Sequence, residues 1–201
     1  MRFALALIVL AAGCTTPRSD AHYRERAEAA VKAGFAGGDP QIVARVVEQD
    51  DMQRLCSEHR DKPPAALIAP VMAAQRGKIV YPPSGRLMGD WREGKKIAED
   101  TGGMRFGDKP RVPNGGNCYA CHQLAPAEVV YGTLGPSLRG YGKARGTSDG
   151  VQRYAYDRIY NGQAFVACSA MPRFGHNGVL TPEQIAHLVA LLLDPASEVN
   201  R

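Results

Sequence analysis

Two features that many sequences have are missing from this one. After residue 12 it contains no apolar run near the ~18 residues that a membrane-spanning helix needs. Its lysines and arginines are scattered among acidic residues rather than gathered in a stripe, and the formal net charge is only +5. These absences argue against a membrane span in the mature chain and against a nucleic-acid-binding surface.

The first residues have the build of a secretory signal, with a positive charge, an apolar run over residues 3–12 and then small residues. Two cleavage positions fit this segment. Residues 10–14 resemble a bacterial lipoprotein site, in which Cys14 would carry a lipid, whereas residues 19–21 could end a conventional signal. We therefore expect residues 1–21 to be a signal segment and the chain to be periplasmic, with Cys14 as its only potential membrane attachment.

The remaining chain divides into an extension, residues 22–85, and a domain, residues 86–201. Two helices are expected early in the extension, the second starting at an Asp39 cap and running to His59. Five prolines in the second half of the extension predict irregular chain there, with one short helix over residues 71–76.

Two helices are expected to frame the domain, which predicts an all-α fold. The first starts at Asp90, with Glu93 placed for a reciprocal cap, and carries Gly94 on its apolar face, where a small residue permits a close helix crossing. The second starts at Thr181, with Gln184 completing a capping box. The chain between these helices is rich in glycine and proline and has little periodicity, so a large apolar cofactor at the centre of the domain would supply the missing core.

The stretch Cys118-Tyr119-Ala120-Cys121-His122 identifies such a cofactor. A thioredoxin-like redox pair would follow a strand, and none is predicted before Cys118. A structural zinc site would need a second pair of ligands at suitable spacing, which the sequence does not offer. The pattern is instead that of covalent attachment of one haem c, in which two thiols three residues apart reach the porphyrin and His122 binds the iron.

The second iron ligand is predicted to be Met171. It stands in an irregular loop just ahead of the last helix, where the chain is free to fold over the other face of a haem. His176 is the runner-up and Cys168 a more distant alternative, whereas His187 is expected to be a helix-packing residue.

Pro136 and Leu138 are expected to belong to the haem pocket. A backbone carbonyl held rigidly near Pro136 would accept a hydrogen bond from the His122 ring, and Leu138 would pack against the porphyrin edge. The competing interpretation is an ordinary Gly-Pro turn.

Cys56 and Cys168 are the cysteines left over once Cys14 and the haem-attaching pair are assigned. In an oxidising compartment we expect a disulfide between them, which would join the extension to the loop that carries Met171. The alternative is that Cys168 is a reactive or iron-binding thiol.

Residues 86–195 resemble class I cytochromes c. Within that class, the segments GGNCYACHQL, GTLGPSL, MPRFG and LTPEQI are similar to SoxX, the small cytochrome subunit of the SoxAX complex of bacterial thiosulfate oxidation. The resemblance implies a periplasmic heterodimer, an L-cysteine S-thiosulfotransferase that joins thiosulfate to a cysteine of the carrier protein SoxYZ. In that scheme the SoxA-type subunit carries out the chemistry, and the SoxX-type haem accepts the electrons and passes them to a downstream cytochrome c.

Two other functions remain open on the sequence. The haem motif alone would equally suit a free-standing electron carrier to a terminal oxidase or reductase, although the long extension speaks against free diffusion. An open-site haem enzyme or gas sensor would require that Met171 does not bind the iron.

Overall fold

The computed structural model describes residues 19–103 and 113–201, and every regular element in those ranges is helical. The predicted all-α class is therefore confirmed. None of the described helices is long and apolar enough to cross a membrane, and residues 1–18, with Cys14, lie outside the described chain. The α-helices are α1 (Asp20–Gly34), α2 (Pro40–Val47), α3 (Asp51–Glu58), α4 (Ala65–Arg76), α5 (Trp91–Glu99), α6 (Tyr141–Arg145), α7 (Asp149–Tyr160) and α8 (Pro182–Leu193).

The domain is organised by a close crossing of α5 and α8. A Cβ atom at Gly94 would lie 2.1 Å from the backbone oxygen of His187, so a larger residue would push the two helices apart. The His187 ring accepts a hydrogen bond from the Asp90 backbone N–H through Nδ1 at 2.8 Å. His187 is therefore the helix-packing residue that its position predicts.

The starts of these two helices differ. In α8, Thr181 and Gln184 form the predicted capping box. In α5, Asp90 caps the helix, but the prediction of a reciprocal bond from the Glu93 side chain is wrong. The Glu93 carboxylate instead lies 2.7 Å from Lys96 on the same exposed face, where an ion pair competes with the cap.

Helix α7 lies in the stretch that was expected to be irregular, and it packs against α8. Its buried face contains polar atoms as well as apolar ones. The Tyr156 hydroxyl donates to Val80 O at 2.7 Å, and the Tyr81 hydroxyl donates to Asp157 Oδ1 at 2.9 Å. Because three of the five buried residues of α7 are tyrosine or aspartate, its apolar periodicity is weak in the sequence.

The extension is more helical than the sequence suggests. The helix expected from Asp39 to His59 is divided into α2 and α3, because Asp50 caps a new helix and forms a capping box with Gln53. The prediction of a short helix over residues 71–76 is wrong in length. The helix found there, α4, has twelve residues and contains Pro70. Tertiary packing of the buried faces of α3 and α4 outweighs the local cost of the proline.

Candidate functional site

The attachment motif lies on a short 3₁₀ turn, Cys118–Ala120. Asn117 precedes the turn in the left-handed region, with φ of 45°, and the backbone N–H groups of Cys121 and His122 both donate to Cys118 O. Because residues three apart eclipse one another in a 3₁₀ turn, the side chains of Cys118 and Cys121 emerge on one side of it. Both line the same cavity as the His122 ring.

His122 is oriented by a hydrogen bond from its Nδ1 to Pro136 O, at 2.7 Å. A carbonyl oxygen can only accept, so Nδ1 carries the ring proton and Nε2 keeps a free lone pair. Gly135 leaves room for this orientation, since a Cβ atom there would lie 2.2 Å from Cε1 of the His122 ring. In the neutral imidazole, this tautomer leaves Nε2 available to a metal.

The two cysteines of the motif are free thiols. Burial, with a smaller contribution from Cys121, raises the pKa of Cys118 to about 12. A thiol used for disulfide exchange needs the opposite shift, because the thiolate is the reactive form. This environment therefore disfavours the redox-pair interpretation of the motif.

Met171 lines the same cavity from a different part of the chain. It belongs to a segment that we call the methionine loop, residues 168–174, which precedes α8. The Met171 backbone N–H donates to Ser169 Oγ at 3.3 Å, and its side chain packs against the hydrophobic core. The structure thus brings together Cys118, Cys121, His122 and Met171, which are separated by about fifty residues of sequence between the motif and the loop.

The cavity between these residues has a volume of about 350 Å³, which lies within the ~300–1,000 Å³ range of small-molecule and cofactor sites. Pro136 and Leu138, predicted from the sequence as pocket residues, both line it. The further apolar side chains around it are Leu134, Ile159, Phe174 and Leu192. An apolar cavity lined by two thiols, an imidazole and a thioether has the donor groups that a covalently attached macrocycle with a central metal needs.

Sequence reasoning missed the polar rim of the cavity. Arg145 of α6 and Arg158 of α7 both line it, together with Tyr141 and Tyr154. Each arginine lies over one of these rings, with its guanidinium carbon 5.9 Å from the ring centroid of Tyr141 or Tyr154. The Tyr-x-x-x-Arg spacing, which occurs twice, would have indicated both pairs if the two helices had been recognised.

The other ligand candidates lie elsewhere. His176 does not line the cavity, and its Nε2 lies 3.6 Å from Asp50 Oδ2 on the side of the extension. Cys168 is joined to Cys56 by a disulfide with a Cα–Cα distance of 5.6 Å, so it is not available as a thiol. Of the proposed sixth ligands, Met171 is the one whose side chain faces the cavity.

The crossed helices α5 and α8, the attachment motif and the cavity that the motif lines together define an all-α domain with a cytochrome c-like fold.

No family model matches the chain. A curated protein of Aquifex aeolicus (strain VF5), described as an uncharacterized lipoprotein, is 40% identical over 161 residues, which are 76% of this chain and 73% of that protein. The chain belongs to the same family as this lipoprotein.

Among solved structures, SoxXA from P. pantotrophus superposes with a TM-score of 0.42 and 22% sequence identity, over 59% of this chain and 95% of that chain. A superposition of this quality does not establish a shared activity.

Proposed function

We propose that the cavity holds one haem c, linked through Cys118 and Cys121 and bound at the iron by His122 and Met171. The observation that carries this proposal is that all four side chains line a single apolar cavity although they come from two distant parts of the sequence. The hydrogen bond from His122 Nδ1 to Pro136 O gives further support, because it leaves Nε2 for the iron.

The protein's contribution would be to set the haem's potential and to close its coordination. When bound, the haem supplies reversible one-electron chemistry at its iron. Pro136 orients His122, and Leu138 packs against the macrocycle edge. Met171 would supply the second iron ligand, and a methionine ligand favours a higher potential than a second histidine would. The guanidinium groups of Arg145 and Arg158 would pair with the haem propionates.

Such a centre transfers electrons and does not bind a substrate at the iron. We therefore assign the chain the role of the electron-accepting subunit of a thiosulfate-oxidising complex of the SoxAX type, not catalytic alone. Its partners would be a SoxA-type cytochrome, a SoxYZ-type carrier protein and a downstream cytochrome c. Support for this specific assignment comes from the sequence resemblance around the attachment motif and the methionine loop.

The location that fits this role is the periplasm, with the chain tethered through a lipid on Cys14. Support comes from the family relative, which is itself described as a lipoprotein. The intact mass of the protein isolated from membranes tests both covalent groups at once, because lipid at Cys14 and haem at the motif add separate masses.

The iron ligand is tested by replacing Met171 with alanine in the haem-loaded protein. We expect loss of the long-wavelength absorption band of methionine-bound ferric haem and a lower potential. Met72→Ala, a partly buried methionine of the extension, is the matched control and should retain both. An unchanged spectrum in Met171→Ala would overturn the proposed ligation.

The partnership is tested by mixing the holo-protein with a SoxA-type cytochrome and a SoxYZ-type carrier and adding thiosulfate. We expect co-elution with the larger cytochrome and haem reduction that requires both partners. A chain that stays monomeric and is reduced at the same rate without them would overturn the assignment and favour the free-standing carrier.

A further inference from the structure

The helical part of the extension, residues 20–76, makes its described side-chain links to the domain at one place. Its helices α3 and α4, with the α3 cap, reach the segment that surrounds Met171. The links are an ion pair, a disulfide and two hydrogen bonds: Asp50 to Arg173, Cys56 to Cys168, Arg76 Nη1 to Ala164 O, and Asn161 Nδ2 to Gln75 Oε1. The partners of α3, its cap and α4 in these four links therefore all fall within residues 161–173, whereas Val80 and Tyr81, later in the extension, bond to α7.

Two of these links bracket Met171 closely. Cys168 lies three residues before it and Arg173 two residues after it. Their partners in the extension, Cys56 and Asp50, lie at the two ends of the same short helix, α3 and its cap. One rigid element thus holds the methionine loop on both sides of the methionine.

The ion pair between Asp50 and Arg173 is short and largely buried on the arginine side. Arg173 is only 6% exposed, and its Nη1 lies 2.5 Å from Asp50 Oδ2. The other carboxylate oxygen of Asp50 accepts the Gln53 backbone N–H at the start of α3. Because Asp50 is fixed by its capping role, the position of Arg173 is fixed with it.

Because Arg173 is buried, the methionine loop must keep the ion pair between Arg173 and Asp50. A guanidinium that is almost fully removed from water must keep a charged partner, since an unpaired buried charge is strongly unfavourable. Any movement that takes the methionine loop away from the cavity also pulls Arg173 away from Asp50. The ion pair therefore resists opening of the loop.

We propose that Asp50 and Arg173 are positioning residues that, together with the Cys56–Cys168 disulfide, hold Met171 against the haem and keep its sixth coordination site closed. This inference rests on the proposed ligation by Met171. It assigns the extension a task inside the molecule, as the support of an iron ligand.

A positioning role predicts a property that a purely stabilising ion pair does not. If the loop opens more often, an external ligand such as imidazole competes better with Met171 for ferric iron. Imidazole binds the iron only when the loop is open. Its apparent affinity therefore rises as the open fraction of the loop rises.

The test compares imidazole titrations of ferric holo-protein and its variants. Asp50→Asn keeps the helix cap but removes the charge that Arg173 needs. Arg173→Gln removes the other partner, and Arg173→Lys retains the charge. Asp51→Asn is the matched control, because Asp51 adjoins Asp50 but pairs with Arg54 on the exposed surface.

We expect imidazole to bind Asp50→Asn and Arg173→Gln at least tenfold more tightly than wild type, with a lower potential, and Arg173→Lys to recover most of the difference. Asp51→Asn should match wild type. If both disrupting variants bind imidazole as wild type does while retaining the methionine spectrum, the positioning role is overturned. If Met171→Ala itself leaves the wild-type spectrum unchanged, it is the proposed ligation that fails, so the two failures are distinguishable.

Discussion

The two sides of the cavity are supported from different distances along the chain. On the His122 side, the ring is oriented by Pro136 O, which lies 14 residues away, and Gly135 and Gly132 donate to the backbone of the attachment turn. On the Met171 side, a local bond from the Met171 backbone N–H to Ser169 Oγ is joined by supports from the extension, 123 residues away for Asp50 and Arg173 and 112 for the disulfide. One ligand is held by nearby chain, whereas the other also depends on a distant helix.

This difference has a thermodynamic consequence. Local contacts form with little loss of chain entropy and persist as long as the turn is folded, whereas long-range contacts depend on the docking of a separate element. The methionine side can therefore open while the histidine side remains intact. The predictions below separate the two sides, starting with the change that is expected to alter the haem spectrum most.

Gly135→Ala should disrupt the histidine side most strongly. The new Cβ would lie 2.2 Å from Cε1 of His122, so the ring must rotate and lose its bond to Pro136. We expect a large change in the haem absorption spectrum and a stability loss of roughly 1–3 kcal/mol from overpacking. Spectroscopy and thermal unfolding of the holo-protein measure both.

Gly150→Ala is the control for that variant, since a Cβ atom there meets nothing within 4 Å. It should leave the spectrum unchanged. A normal spectrum in Gly135→Ala would mean that the close approach of glycine to the ring is not needed.

The histidine side of the site can be predicted from the sequence more fully than the methionine side. Cys118, Cys121 and His122 form a contiguous motif whose spacing indicates their chemistry, and the Pro136 carbonyl lies close enough in sequence to be anticipated. Arg173 offers no such signal, because a single arginine acquires its role only when α3 docks beside it. Helix α7 was missed since its buried tyrosines and Asp157 conceal the apolar period.

Removing the disulfide should affect the methionine side selectively. In Cys56→Ser with Cys168→Ser, we expect the free energy of unfolding to fall by about 2–5 kcal/mol. The methionine band should weaken at lower denaturant concentrations than those that release His122. Parallel unfolding curves at the two wavelengths in the variant would contradict independent opening of the two sides.

The pKa shifts of Asp50 and His176 predict that the stability of the protein depends moderately on pH. Desolvation raises the pKa of Asp50, but hydrogen bonds from Arg173 and Gln53 and the charges of Arg173 and His176 outweigh it, so the pKa lies below its usual value. Desolvation, followed by the charge of Arg173, lowers the pKa of His176. Both groups therefore bind protons more readily in the unfolded chain, and stability is lost as the pH falls.

The Asp50 contribution is present above about pH 4, the usual pKa of an aspartate, and is lost progressively below it. Asp50→Asn should therefore be less stable than wild type at neutral pH but lose less stability on acidification. The melting temperature of wild type, Asp50→Asn and Asp51→Asn between about pH 3 and pH 7 measures this. If the melting temperatures of all three proteins fall in parallel as the pH falls, Asp50 does not contribute to the loss of stability in acid.

Gly162→Ala should have the smallest effect, although Gly162 adjoins Met171. A Cβ atom there would lie 3.7 Å from Met171 Cβ and 3.8 Å from its sulfur, which are ordinary contact distances. The methionine side is held by its long-range links and not by a glycine-sized gap, so the added methyl group should leave the spectrum, the potential and imidazole binding unchanged. If Gly162→Ala instead strengthens imidazole binding as much as Asp50→Asn does, then close local packing positions Met171 in the same way that Gly135 accommodates His122, and the contrast between the two sides of the cavity disappears.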